Sequence, residues 1–75
     1  MTRCEELEAI LRAQFDLEYA EPGDLPERLS RLNFLLDQVI AGTSLTRLDL
    51  LSALRDRYKE YKRGQLLAEA RRRTV

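Results

Sequence analysis

Between Pro22 and Gly42 the apolar residues fall at Leu25, Leu29, Leu32, Leu35, Leu36, Val39 and Ile40. Their steps of three and four place all seven within about 140° of one helical face, at about 100° per residue. A strand alternates its side chains and would split the same set between two faces. The segment is therefore a helix with one side that needs cover, and whatever the rest of the chain does must supply it. The ends are marked as well. Asp24 can cap, Pro26 sits in the first turn where its missing N–H costs nothing, and Glu27 favours the positive end of the helix dipole. Gly42 is a ready C-terminal cap. The spacing predicts a helix over 25–41.

Two further segments share this period. Over 3–19, Cys4, Leu7, Ile10, Leu11, Phe15 and Leu17 form a stripe about 160° wide. "TRCE" before it has the capping-box form, with Thr2 and Glu5 reciprocating. "AEPG" after it stops a helix, because Pro22 disfavours helical geometry at Glu21. Over 45–72, Leu48, Leu51, Leu54, Tyr58 and Tyr61 make one face, and "TRLD" is a second capping signal at Thr46. Leu66 and Leu67 are rotated by about 100° or more from that face. The stripe loses phase at Gly64, which is expected to break or bend the third helix. β-branched residues are few, and no segment reads as a strand. The expected fold is all-α: a three-helix bundle in one domain over 1–75, an antiparallel hairpin plus a longer basic third helix. Its core should hold Leu7, Ile10, Leu11, Phe15, Leu29, Leu32, Leu36, Val39, Leu48, Leu51, Leu54 and Tyr58.

Size limits how much such a bundle can do alone. A chain of 75 residues buries only about 60% of its unfolded surface and needs a staple. The single cysteine excludes an internal disulfide, and with no histidine there is no familiar zinc ligand set. Oligomerisation is the staple left. Cys4 shares the apolar stripe of the first helix and reads as a small buried hydrophobe. Length points the same way. A helix from Thr46 to Arg73 would run about 42 Å, and the first two helices only about 25 Å each. The last ten or so residues then have no partner within the bundle. They fold back at Gly64, cross a second subunit, or fray.

Charge is balanced overall but not along the chain. Residues 1–42 hold nine Asp/Glu and four Arg, a net of −5; residues 43–75 hold four Asp/Glu and nine Lys/Arg, a net of +5. Halves of opposite sign attract one another, within one chain or between two. They also leave a basic region for an acidic partner.

Catalysis is the weakest class. The commonest general base, histidine, is missing, and three short helices rarely enclose a substrate-sized pocket. No cofactor, metal or small-molecule substrate is expected. No run of about 18 apolar residues is present, so no membrane partner is expected either. A lone thiol and a polar start, "MTRCEELEAI", fit the cytoplasm.

Two functional readings remain. The first is a small non-enzymatic helical module for protein–protein interaction (an adaptor, regulator or assembly factor) that pairs with itself or with another helical protein. Its candidate residues are Phe34, which lies opposite the leucine stripe, and Tyr58, Tyr61, Leu66 and Leu67. The second is nucleic-acid binding through Arg47, Arg55, Lys59, Lys62, Arg63, Arg71, Arg72 and Arg73, which could neutralise phosphates. Against the second, the tyrosines share a face with Leu51 and Leu54, and the cations are read as spread around the helix with Asp56, Glu60 and Glu69 among them. Cations at Arg71 to Arg73 also suit the C-terminal end of a helix dipole.

Overall fold

The computed structural model describes residues 2–73, and these are helical with no strand among them. Helix α1 spans Arg3–Glu18. A 3-10 turn over Pro22–Asp24 leads into α2, Leu25–Ile40. Helix α3 spans Arg47–Ala53 and α4 spans Arg55–Arg73. Among the described residues four α-helices stand where three were expected, because the third segment is divided.

Local chemistry sets most of these ends. Thr2 caps α1, its hydroxyl accepting from the Glu5 N–H at 3.2 Å. At Thr46 the full capping box forms: Thr46 accepts from the Asp49 N–H, and Asp49 accepts from the Thr46 N–H at 3.0 Å. Asp24 makes no capping bond, since the 3-10 turn takes it into helical geometry. It pairs with Arg28 at 3.8 Å instead. Gly42 ends α2 with φ +79°, a left-handed conformation that a side chain would oppose.

The hairpin of α1 and α2 is antiparallel. Arg3 near the start of α1 donates to the Val39 carbonyl near the end of α2. Arg28 near the start of α2 donates to the Asp16 carbonyl at 2.7 Å. Between these ties lies the core: Ile10 and Ala13 from α1, Leu32, Leu36 and Val39 from α2, with Leu50 and Leu54. Leu7, Leu11, Leu17, Leu35, Ile40 and Leu51 pack around it.

The division of the third segment falls at Leu54, not at Gly64. Leu54 has φ −90° and ψ 0°, while its N–H still reaches Leu50 and its carbonyl still accepts from Tyr58. Leu54 thus redirects the helix while its own N–H and carbonyl stay paired. The cause is tertiary: Leu50 and Leu54 are held in the core, and past the bend Tyr58 and Tyr61 reach α1. Gly64 continues as helix, with open space where a Cβ would stand.

The expected core is corrected within α3. Leu50 is buried and Leu48 is 72% exposed, because Leu50 lies about 40° around the helix from buried Leu54 and Leu48 about 120°. Leu29 is exposed too, because α3 is seven residues long and leaves the start of α2 uncovered. Phe15 and Tyr58 are half-buried rather than interior. Cys4 is exposed, beyond the end of the packed part of the α1 stripe.

Candidate interaction surface

Past Leu54, α4 is tied to α1 at one place. Tyr58 donates its hydroxyl to one Glu18 carboxylate oxygen, and Lys62 Nζ lies 2.7 Å from the other. One turn away the Tyr61 ring meets Phe15 edge-on, with centroids 6.2 Å apart. Phe15 in turn packs on Tyr19, and Lys62 lies over the Tyr19 ring. These contacts gather within 15–19, at the end of α1. From Arg63 to Arg73 every residue is exposed. The molecule is 47 Å in its longest dimension and 28 Å and 22 Å in the others.

The electrostatics of the tie follow from its bonds. The Lys62 ammonium, and after it the Tyr58 hydroxyl, hold the Glu18 carboxyl below its ordinary range. Burial, and then the bond to Glu18, push Tyr58 well above an ordinary phenol. Lys62 is raised by the same carboxylate. A second pair joins α3 to α2. Arg47 grips Asp37 with two bonds of 2.8 Å, lowering the acid and raising the base.

The residues singled out in the sequence now separate into groups. Tyr58 and Tyr61 are turned onto α1. Phe34 is 61% exposed on the outer face of α2, one helical turn beyond Arg31. Leu66 and Leu67 lie exposed on α4 beside Lys59, Lys62 and Arg63. The α4 cations divide between one favoured side and the rest of the helix, Arg57 being on the rest. Counted from the bend, Arg55, Lys59, Lys62, Arg63 and Arg73 fall within about 100° of one side of α4. Arg47 belongs to α3 and is engaged by Asp37, whereas Arg71 and Arg72 point to other sides of α4.

A second surface was not foreseen. Where α4 departs from α1 the two helices leave a groove of 620 Å3. Its floor is the α1 stripe Glu5, Glu8, Ala9, Arg12, Ala13 and Asp16, with Arg31 on one wall and Tyr61 and Gln65 on the other. It continues through Ala13, Asp16 and Arg31 into a second hollow of 320 Å3 that adds Asp24, Glu27 and Arg28. The signal was present in the sequence: those six α1 residues recur at helical spacing, and two of them are alanines. A stripe of charges and alanines reads as a solvated face until a neighbouring helix is seen to wall it.

Among the described residues no group of three or more Cys, Asp or Glu side chains gathers as metal ligands would, and no helix is long and apolar enough to cross a membrane. No protein-family model, curated protein or solved structure matches the chain.

Proposed function

We propose that this chain is a small helical module for protein–protein interaction that pairs with a second copy of itself. One observation carries the reading. Among the described residues seven hydrophobic side chains are buried, while eight large ones are exposed. The chain leaves uncovered more of its large apolar groups than it encloses, and so small a core favours a partner. Phe34 at 61%, Leu48 at 72% and Leu67 at 51% exposure are the largest of these debts to solvent on α2, α3 and α4. The projecting half of α4 adds reach, and the opposed charge of the two chain halves adds orientation.

Light scattering after size exclusion tests this directly. The expected result is twice the 8.8 kDa of one chain at micromolar concentration. A monomer that persists at high micromolar concentration in low salt would sink self-association.

The one-sided array of Arg55, Lys59, Lys62, Arg63 and Arg73 supports a second reading, contact with a nucleic-acid backbone. It is the weaker one. Lys62 is engaged by Glu18 and Arg73 pairs with Glu69. Both α4 tyrosines face α1 and offer no ring to a base. A short duplex added to the same measurement separates the two: backbone binding raises the mass and is lost steeply as salt rises.

A further inference from the structure

Two surfaces of opposite character flank α4. On one side is the groove over Ala9 and Ala13, and it is acidic on balance. Five carboxylates, Glu5, Glu8, Asp16, Asp24 and Glu27, stand against Arg12, Arg28 and Arg31. On the other side are Leu66 and Leu67, bordered by Lys59, Lys62 and Arg63. No residue lines both surfaces, because α4 itself lies between them.

The ion pairs within the chain engage only some of these charges. Glu18, Asp24, Asp37, Lys62, Arg28 and Arg47 are paired. Glu5, Glu8 and Glu27 in the groove form no ion pair among the described residues, and neither do Lys59 and Arg63 on the far side. The groove thus keeps more unpaired acids than unpaired bases, of which it has Arg12 and Arg31, and the far surface keeps unpaired bases.

We infer that the groove is the seat for α4 of a second copy, with Lys59 and Arg63 meeting Glu5 and Glu8 and with Leu66 and Leu67 lying over Ala9 and Ala13. The inference rests on the self-association reading and specifies its surfaces. Two features support it. The spacings match: Glu5 and Glu8 are three apart, Lys59 and Arg63 four apart, and both spacings put side chains about 5–6 Å from each other. Shape matches, since projecting leucines need a floor of small residues if helices are to approach closely. A two-fold axis makes the contact reciprocal, because the groove and the α4 leucines are both present on every copy. Each copy then fills the other's groove, and the assembly closes at two.

Exchanging the charges tests this pairing. One variant carries Glu5→Lys and Glu8→Lys, the other Lys59→Glu and Arg63→Glu, and circular dichroism confirms that both remain helical. Each alone sets like charges together, and its dimer dissociation constant is expected to rise by about tenfold or more. Mixed in equal amounts, the two restore opposite charges at both contacts and are expected to recover the dimer mass. If each variant alone dimerises as the parent does, or if the mixture fails to recover, this seat is wrong while self-association stands. A monomeric parent overturns both.

Discussion

Lys62 Nζ stands 2.7 Å from Glu18 Oε1 across 44 residues of sequence, and with the Tyr58 hydroxyl on the same carboxylate it fixes the direction in which α4 leaves the bundle. The bend at Leu54 frees α4 from the line of α3, and this carboxylate gives it a new one. What the chain offers a partner depends on that choice, because the groove exists only where α4 diverges from α1.

The tie should be sensitive to acid. The folded chain holds Glu18 and Asp37 below their ordinary values. Their contribution is therefore complete above the unfolded carboxylate range, near pH about 4, and is lost as pH falls through the lower folded values. Glu18→Gln should melt at a lower temperature than the parent at neutral pH, and the two curves should converge in strong acid. Parallel curves at every pH would deny Glu18 this role. Tyr58 works in the opposite sense. Its raised value favours the folded state fully below pH about 10 and fades as the phenol ionises above that.

Core register has its own test. Leu36 is 1% exposed and Leu48 is 72% exposed. Leu36→Ala should cost about 2–5 kcal/mol through the cavity it leaves. Leu48→Ala should stay within about 0.5 kcal/mol in the monomer. Chemical denaturation of both would expose an error in α3 if their costs came out alike.

Gly64 lies within a continuous helix, and a methyl group there meets open space. Gly64→Ala should therefore stabilise α4 by about 0.5–1 kcal/mol, visible as slower amide exchange after residue 63. A loss of helix on this change would mean that the glycine adopts another conformation in solution.

Phe34 separates surface from interior. Phe34→Glu should leave helical content unchanged, since the ring is outside the core. Its solution mass should shift toward monomer if the outer face of α2 is covered in the pair. Unchanged mass would remove Phe34 from the contact and leave the groove to be judged by charge exchange.

Much of the architecture was legible from spacing and punctuation. Leu32, Leu36 and Val39 are buried where their period places them, and Thr2, Thr46 and Gly42 mark helix ends as capping chemistry demands. The bend was not legible. Leu54 is a good helix former with no proline beside it, and only its fit between two packing surfaces imposes ψ 0°. Gly64 shows the converse: a residue able to break a helix does so only when something gains from the break. The candidate surfaces divide in the same way. Exposed residues such as Phe34 and Leu67 could be picked out by their position on a helix, but the groove required knowing which way α4 departs, a property of the Glu18 tie.

The single-residue bend at Leu54 also makes α4 a lever with its pivot at one end. Lys62 lies about 12 Å along the helix from that pivot and Arg73 about 28 Å, at about 1.5 Å per residue. Any displacement at the Glu18 clasp is thus more than doubled at the tip, and a swing of about 10° carries Arg73 about 5 Å. A sub-ångström adjustment where α1 meets Tyr58 and Lys62 is felt farthest away, among the arginines.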